Sequence, residues 1–479
     1  MYGASTGTAR GIDGRTTELV GRSGIKAKNM TEIKKKRDGF GSKIGIIAAA
    51  AGSAIGLGNI YRFPCELGNN GGAAFLLVYL VVVIFLGVPV MLSELAIGRR
   101  SQSNAVGAFK KLAPKSAWPL VGYLGVLCGF IIFAFYSTVS GWTLEYIVKA
   151  VTNSFRGKDL ATIEQDFADF HNMGWRNVMW QAVFIFLTGF VVFKGVQDGI
   201  EKYAKILMPL LFVILVVLGI RSVTLPGAGE GLSFLFKPDF SKITGKVLIN
   251  ALGQGFFSLS LGMGVLITYG SYIKKSDNLT STAFSVVIAD TLIALLAGIV
   301  IFPAAFSFGI NPKAGMGLVF NTIPMIFNQM AGGYFFCIIF FVLLAIAALT
   351  STISLLEVVV AYVSEQLHIK RQWATIVACA ISLLVGAFAS LSLMENTPFT
   401  ICGKTMFDAM DFISSNVMLP LGGMLIVIFV GWKMGKSQFF AEVANEGALK
   451  APMKAIIYFI IRYLAPLAIA VVFVTGLIK

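Results

Sequence analysis

The stretch AAAAGSAIGLGNIYRFP, residues 48–64, lies within a long apolar run but contains residues that weaken a helix or carry polar or charged side chains. Those residues are Gly52, Gly56, Gly58, Asn59, Arg62 and Pro64. Two glycines four positions apart commonly let membrane helices pack closely, so packing alone would explain Gly52 and Gly56. The polar and charged residues that follow them need a further reason.

Composition places the chain among membrane proteins that cross the bilayer several times. Of its 479 residues, 56% are hydrophobic and 13% are charged, and the mean hydropathy is +0.80. A soluble chain of this length needs a more polar surface. The net charge of +15 does not indicate nucleic-acid binding, because the basic residues fall in short loops. Five scattered cysteines and two histidines argue against a redox or metal enzyme.

Residues 1–33 are predicted to form a disordered extension, and residues 34–479 the transmembrane domain. The first 30 residues are rich in Gly, Thr and Arg and contain no apolar core of the kind that marks a signal peptide. Two interpretations stay open for this extension. It is either native, or a non-native addition ahead of a natural start at Met30.

Eleven apolar runs are long enough to cross the hydrocarbon core, which takes about 20 helical residues. They lie near residues 43–66, 73–98, 119–149, 177–193, 200–220, 247–271, 279–307, 333–363, 373–392, 406–431 and 455–478. The basic stretch KKKR at 34–37 precedes the first run, whereas the loop after the third, GKDLATIEQDFADFHNMGW at 157–175, is acidic. The positive-inside rule therefore places the N-terminus in the cytoplasm and the C-terminus outside.

The sixth run repeats the irregularity of the first. It contains GQGFFSLSLGMGVLITYGSY, residues 253–272, with Ser258, Ser260, Gly262 and Gly264 at mid-depth. The two runs are five spans apart, and a unit of five spans crosses the membrane an odd number of times, so its second copy would enter the membrane inverted. Paired interruptions in corresponding halves indicate a transporter site at the midplane, because irregular backbone is tolerated there only where it lines a cavity or is buried. We predict inverted repeats at about 43–220 and 247–431, with an extra helix at about 455–478.

Six motifs resemble the neurotransmitter:sodium symporter family (solute carrier 6-like), in the bacterial amino-acid branch that includes the bacterial leucine transporter. They are GSAIGLGNIYRFP, NNGGAAFLLVYL, Tyr136 with Gly141-Trp142, TLPGAGEGLSFLFKPDF, GQGFFSLSLGMG and AALTSTISLLE. The resemblance covers about residues 34–479. It implies an all-α membrane protein of the leucine-transporter-like fold, with helices 1 and 6 broken, that carries out Na⁺-driven symport in a prokaryotic plasma (inner) membrane.

The resemblance also implies two sodium sites, both built from oxygen atoms, which suit a small hard cation. The ligands of the first are the Ala54 carbonyl and the side chains of Asn59, Ser258 and Asp290. The ligands of the second are the carbonyls of Gly52, Ile55 and Ala347 and the hydroxyls of Thr350 and Ser351. Without the resemblance, hydroxyls such as those of residues 350–354 would be interpreted as bonding back to their own helix.

A substrate pocket follows from the same resemblance. Its residues are Ser53, Ala54, Leu57, Gly58, Ile132, Tyr136, Phe257, Ser258, Ser260, Met263, Ser351 and Leu355. Animal monoamine transporters of the family carry an aspartate at the position of Gly56, in place of a carboxylate that their substrates lack. Glycine leaves room for the substrate's own carboxylate, so an amino acid is predicted. The rest of the pocket is apolar and includes an adaptable methionine, which favours a hydrophobic or aromatic L-amino acid.

Asp290 departs from the bacterial leucine-transporter pattern, which has asparagine here and a glutamate four residues later, where this chain has Ala294. Animal members bind chloride near the positions of Tyr79, Gln254 and Ser258. A charge at the centre of a span costs about 2.5–3.5 kcal/mol and indicates a functional site. We predict that Asp290 supplies the negative charge and that transport is independent of chloride. The alternative is a proton-coupled amino-acid transporter of the same fold, using Asp290 or Glu357.

Charge pairs on both sides of the pocket are predicted to act as gates. The gate residues are Arg62 and Asp411 on the outer side, and Arg37, Glu365 and Tyr272 on the cytoplasmic side. Asp408 lies one turn from Asp411 and competes with it for Arg62. Half-buried opposite charges are costly to separate, which suits a gate that opens when ligands compensate. Outside the proton-coupled alternative, no role is predicted for Glu357.

Other functional classes fit the sequence less well. A channel needs a continuous polar pore, which these apolar spans do not provide. An enzyme needs a nucleophile and base or metal ligands, for which histidine and cysteine are too few. The expected partners are an amino acid, two sodium ions and the lipid bilayer, without nucleic acid, and the expected state is a monomer or weak homodimer.

Overall fold

The structure is a computed structural model that describes Gly3 and residues 39–309, 318–401 and 403–478. Its first half consists of helices joined by short connections. In chain order these are α1 (Lys43–Ala54), α2 (Gly58–Asn69), α3 (Ala73–Ser101), α4 (Ala105–Leu112), α5 (Pro119–Val151), α6 (Leu160–Asn172), α7 (Gly174–Phe193), α8 (Val196–Val223) and α9 (Ala228–Phe236).

The second half continues in the same way, with one small hairpin on its surface. Its helices are α10 (Gly245–Ser258), α11 (Val265–Gly270), α12 (Leu279–Ser307), α13 (Ile323–Gln329), α14 (Gly333–Gln366), α15 (Arg371–Leu391), α16 (Met406–Val443) and α17 (Lys454–Gly476). The hairpin pairs β1 (Thr400–Ile401) with β2 (Lys404–Thr405) in antiparallel register. Short 3-10 turns lie at Phe240–Lys242 and Asn445–Gly447, and a π turn at Leu318–Thr322 precedes α13.

Nine helices in the described part of the chain are long and apolar enough to cross a membrane. They are α3, α5, α7, α8, α12, α14, α15, α16 and α17. The pair α1 and α2, bent by 50° at its break, makes ten if it is one span. The predicted sixth span is divided between α10, with 14 residues, and α11, with 6 residues, so neither piece crosses alone. The predicted total of eleven therefore stays a prediction.

The first interruption falls within residues 48–64, between Ala54 and Gly58. Helix α1 ends at Ala54, Ile55 adopts an extended conformation with φ −77° and ψ 100°, and helical structure resumes at Gly58. The freed backbone is partly satisfied inside the protein, because Gly56 N–H donates to Asn59 Oδ1 at 3.3 Å. Asn59 thus supports the break locally and faces the second half of the chain.

The second interruption separates α10 from α11. Between them Ser260, Gly262 and Gly264 all have positive φ, at 54°, 84° and 74°. At Gly262 there is also no room for a side chain, since an added Cβ would lie 3.0 Å from Gly423 N and closer still to Leu419 O. The fully buried Glu94 of α3 accepts a 2.7 Å hydrogen bond from Gly262 N–H. This carboxylate holds the irregular turn. Nothing in the sequence pattern links Glu94 to Gly262.

The two interruptions lie inside a core built by the longest helices. Helices α5 and α14 pack against each other, and α1 packs against α8, α12 and α14. Helix α17 lies outside this arrangement, against α16 and α10. Both breaks are thereby surrounded by protein, which is the condition under which a membrane interior tolerates non-helical backbone.

Candidate functional site

A buried carboxylate lies where the two interruptions meet. Asp290 of α12 is 0% exposed. The Asn59 amide donates to its Oδ1 at 2.7 Å and to its backbone carbonyl at 3.1 Å. Ser258 Oγ lies 3.0 Å from both carboxylate oxygens, and the Tyr79 hydroxyl donates to Oδ2 at 3.2 Å. Donors from α2, α3 and α10 therefore fix the orientation of one carboxylate on α12.

The charge of this carboxylate has no basic partner among the described residues. Hydrogen bonds from neutral groups orient a buried charge, but a buried ion is normally paired or coordinates a metal ion. A second hydrogen-bond acceptor, on Gln254, also lacks a donor in the described structure. Gln254 donates from Nε2 to the Gly58 carbonyl at 3.0 Å, while its buried Oε1 has no partner in the described structure. The cluster thus offers negative charge and oxygen atoms to a cation.

A second group of oxygen atoms lies between α1 and α14. The Thr350 hydroxyl is 3.3 Å from the Ile55 carbonyl, which the first interruption frees, and 3.0 Å from the Ala347 carbonyl. Gly52 lies close by, because an added Cβ would be 3.3 Å from Thr350 Cβ. Ser351 is directed elsewhere, with its hydroxyl 3.4 Å from the Ser53 carbonyl. Four of the five residues assigned to the second sodium site thus converge.

A small, partly open cavity adjoins the Asp290 cluster. Its lining is Ser53, Ala54, Gly56, Gly58, Ile132, Tyr136, Phe257, Ser260, Met263, Ser351 and Leu355. Ten of these eleven were assigned to the substrate pocket from the sequence, and the eleventh is Gly56. Of the other two assigned residues, Leu57 lines a neighbouring cavity and Ser258 lies against Asp290. The Ser53 hydroxyl is buried without a partner in the described structure.

Comparison with known proteins covers residues 37–479 of the chain. The profile described as Sodium:neurotransmitter symporter family matches residues 37–158 and 153–479. The chain belongs to this family. An uncharacterized sodium-dependent transporter of Bacillus subtilis, YhdH, is 42% identical to this chain, over 91% of this chain and 96% of its own length. A similar transporter of Haemophilus influenzae is 38% identical over 94% of this chain and all of its own.

A solved structure shows the same fold in a related protein. The crystal structure of MhsT in complex with L-phenylalanine superimposes on this chain with a TM-score of 0.85 and 45% sequence identity. The alignment covers 92% of this chain and 100% of MhsT. Because the family and these relatives are transporters, the chain is a multi-pass membrane transporter and not an enzyme, as the sequence predicts.

The chain has a larger cavity beside the small one, and both are lined by Gly58, Tyr136 and Phe257. The predicted outer-gate residues Arg62 and Asp411, and the competing Asp408, all line this larger cavity. In the described structure Arg62 is not ion-paired with either aspartate, since its guanidinium lies 4.3 Å from the centre of the Phe257 ring. The outer pair Arg62–Asp411 is thus not closed here, because Asp411 instead accepts a hydrogen bond from Ser415 at 2.9 Å.

The predicted cytoplasmic gate is described only in part, because Arg37 lies outside the described residues. Glu365 accepts hydrogen bonds from the backbone and side-chain amides of Asn104, each at 2.9 Å. Tyr272, expected to support Glu365, donates to Glu357 Oε1 at 2.5 Å. The described contacts of Glu365 and Tyr272 thus include Asn104 and Glu357, and the cytoplasmic gate stays a prediction.

Glu357, for which the sequence suggested no role, forms a buried ion pair with Arg371 at the start of α15. The guanidinium binds both carboxylate oxygens, with Nη1 at 2.9 Å from Oε1, and its Nε donates to the Val192 carbonyl at 3.2 Å. This network joins α14, α15 and α7. A carboxylate inside a membrane span predicts a basic partner. For Glu357 the sequence offers Arg371, the first residue of the next helix.

Proposed function

We propose that the chain imports a hydrophobic or aromatic L-amino acid together with two Na⁺ ions by alternating access, without needing chloride. The observation that carries this proposal is the Asp290 cluster. It is a fully buried carboxylate with no basic partner in the described structure, next to a small cavity lined by residues of both interruptions. A transported Na⁺ beside Asp290 would neutralise a charge that the fold leaves uncompensated.

The donor set supports sodium as the cation. Carboxylate, amide and hydroxyl oxygens are the ligands that hard cations take in proteins. The Asp290 carboxylate and the Ser258 hydroxyl meet at 3.0 Å, and Asn59 Oδ1 faces the broken α1–α2 backbone. Since Asp290 brings a full negative charge, no anion is required to balance the ion. This is the reason for expecting chloride independence.

The small cavity supports an amino acid as the organic substrate. A Cβ at Gly56 would lie 2.9 Å from the Tyr136 hydroxyl and closer still to Ser351 Oγ, so no side chain of the protein fits there. Leu57 N–H donates to the Tyr136 oxygen at 2.9 Å, which leaves the tyrosine proton free to donate to a substrate carboxylate. The N-terminal end of α2 begins at Gly58 and adds a favourable dipole for that anion.

The opposite part of the cavity sets the preferred side chain. Ile132, Met263 and Leu355 line it, together with the Phe257 ring. A hydrophobic wall of this kind distinguishes substrates that differ by one methylene by only about 1–3 kcal/mol, so several apolar amino acids should compete. The relative MhsT was crystallised with L-phenylalanine, which agrees with a ring-sized apolar substrate.

Alternating access would use the two interruptions as hinges within the inverted repeats. Phe257 and Tyr136 lie between the large outer cavity and the small one, where they can cover the substrate. We assign Arg62 and Asp411 to the outer gate, and Arg37, Glu365 and Tyr272 to the cytoplasmic gate. The N-terminus would face the cytoplasm of a prokaryotic cell, in keeping with the charge pattern of the loops.

Uptake into proteoliposomes tests the proposal directly. Labelled leucine, methionine, tyrosine, tryptophan and phenylalanine are offered with an inward Na⁺ gradient, with choline, or with an inward proton gradient, each with and without chloride. The expected result is Na⁺-driven uptake of one or more of them that is unchanged when gluconate replaces chloride. Uptake driven by the proton gradient in choline would instead establish the proton-coupled alternative.

The second sodium site makes a prediction of its own. Thr350→Val keeps the shape of the side chain and removes the hydroxyl that lies near the Ile55 and Ala347 carbonyls. A hydrogen-bonding group that contacts a charge contributes about 1.5–3 kcal/mol, so the Na⁺ concentration for half-maximal uptake should rise roughly 10- to 100-fold. The matched control is Thr352→Val, since Thr352 bonds to Thr188 at 2.9 Å on another side of α14. Equal Na⁺ dependence in both variants would remove Thr350 from the site.

A further inference from the structure

The last helix carries an arginine inside its membrane-spanning segment. Arg462 lies eight residues after the start of α17, within a π turn at Ile460–Leu464. Its side chain is half-buried, and its Nε atom is buried without a hydrogen-bond partner in the described structure. An arginine at membrane depth is expensive and normally faces a partner, so its guanidinium raises the question of which anion it binds.

The stem of Arg462 is held tightly by the neighbouring helix. A Cβ at Gly431 of α16 would lie 3.1 Å from Arg462 Cα and 3.4 Å from its Cβ, so the two helices approach closely at this glycine. The Tyr458 hydroxyl donates to the Gly431 carbonyl at 2.8 Å, one turn away on α17. The π turn Phe429–Met434 on α16 packs against the π turn that contains Arg462. Such turns often mark functional positions in membrane helices.

Two aromatic rings flank the guanidinium and face outward. The Arg462 Cζ atom is 5.8 Å from the centre of the Trp432 ring and 5.5 Å from that of Tyr463. These rings are 50% and 52% exposed, and their position on the outer surface of α16 and α17 turns them toward lipid. Tryptophan and tyrosine prefer the level of the lipid headgroups, which places Arg462 at that level by the extension of its long side chain.

Further cations follow on the same end of this helix pair. Lys436 and Lys454 both approach the Phe440 ring, with Nζ atoms 5.4 and 5.2 Å from its centre, and Lys433 adjoins Trp432 and is exposed. Within the described residues none of these lysines is ion-paired, and neither is Arg462. The nearby Glu442 does not neutralise them, because it binds Arg99 and Arg100 on the opposite side of its helix end. These four cations therefore have no ion-pair partner among the described residues.

We propose that Arg462, Lys433, Lys436 and Lys454 bind the phosphate of an anionic phospholipid, in the leaflet that the charge pattern predicts to be cytoplasmic. A guanidinium can bind two phosphate oxygens at once, and ammonium groups add charge around them. Clusters of basic residues at the ends of membrane helices bind anionic headgroups in this way. The exposed Phe459 and Leu467 on the same helix would contact the acyl chains.

Retention of phosphatidylglycerol tests this site on the full-length protein. The protein is placed in nanodiscs of phosphatidylcholine alone, or of equal parts phosphatidylcholine and phosphatidylglycerol, and retained lipid is counted by native mass spectrometry. The wild type should keep phosphatidylglycerol selectively and unfold at a higher temperature in its presence. Arg462→Gln should hold that lipid at least roughly fivefold more weakly, and Arg462→Lys should lie between the two.

Controls separate a specific site from general attraction between charges. Lys275→Gln removes one exposed cation elsewhere on the predicted cytoplasmic side and should retain the lipid like the wild type. If Arg462→Gln does not fold, the double change Lys433→Gln and Lys436→Gln should show the same loss. Equal retention by the Arg462, double and control variants would overturn the proposal. Stabilisation by inorganic phosphate in pure phosphatidylcholine would also overturn it, in favour of a soluble anion.

Discussion

Replacing Asp290 by asparagine is expected to abolish Na⁺-driven uptake in chloride-free medium. The amide keeps the shape of the group and can still bond to Ser258 and Tyr79, but it removes the only charge of the cluster. A buried ion left without its partner costs about 3–5 kcal/mol, and each 1.4 kcal/mol is about tenfold in affinity. The Na⁺ affinity should therefore fall roughly 100-fold or more, which Na⁺ titration of substrate binding measures.

Two further variants separate lost charge from lost structure. Asp408→Asn removes a carboxylate that is exposed in the outer cavity and bonded to Thr405, so its chloride-free uptake should stay near that of the wild type. Asp290→Ser removes the charge and opens space beside Tyr79 and Gln254, where chloride should restore part of the binding. An Asp290→Asn variant with unchanged Na⁺ affinity would show that Asp290 has a structural role.

Gly56→Ala is the second change with a large expected effect. Its Cβ would lie 2.9 Å from the Tyr136 hydroxyl, 3.2 Å from Ser351 Cβ and closer still to Ser351 Oγ. The methyl group would occupy the space proposed for the substrate carboxylate and displace the tyrosine that holds it. A lost contact of this kind costs at least about 1–3 kcal/mol, so substrate affinity should drop roughly 10- to 200-fold or more. Competition binding with labelled L-phenylalanine measures the change.

A matched glycine controls for the general effect of adding a methyl group. Gly253 lies on α10 near the outer end of the same region, and an added Cβ there has no atom within 4 Å. Gly253→Ala should therefore bind substrate normally, and it should be slightly more stable because alanine favours a helix. Normal binding by Gly56→Ala as well would place the carboxylate elsewhere in the cavity.

Much of the central site follows from the sequence, because its parts have local causes. Glycines and polar residues in an apolar run predict a break near residue 55, and the structure has non-helical backbone there. The pairing of spans one and six then brings Asn59 and Ser258 to Asp290, which the family resemblance had grouped. That these groups bind Na⁺ and substrate stays a prediction, since it concerns ions and molecules that only an experiment adds.

Other parts depend on distances that no local pattern encodes. In the sequence Glu94 is a carboxylate near the end of a span, and no pattern connects it to Gly262. Folding brings the two residues together at the turn. The partner of Glu357 is Arg371, which belongs to the next helix. The sequence predicts an acidic loop where the structure has helix α6. The search for spans looks for long apolar runs, and a short helix outside the membrane has none. Opposite charge predicts that Arg62 pairs with Asp411, whereas the structure places the Arg62 guanidinium over the Phe257 ring.

The central claim is that the two interruptions form one site for Na⁺ and an apolar amino acid. Equilibrium binding of labelled L-phenylalanine to the purified protein, in sodium gluconate or choline gluconate, tests it most directly. The account predicts saturable binding in sodium without chloride, lost in choline and lost again in Asp290→Asn. Binding of equal strength in choline and sodium would contradict it, because the cation would then contribute nothing to the site.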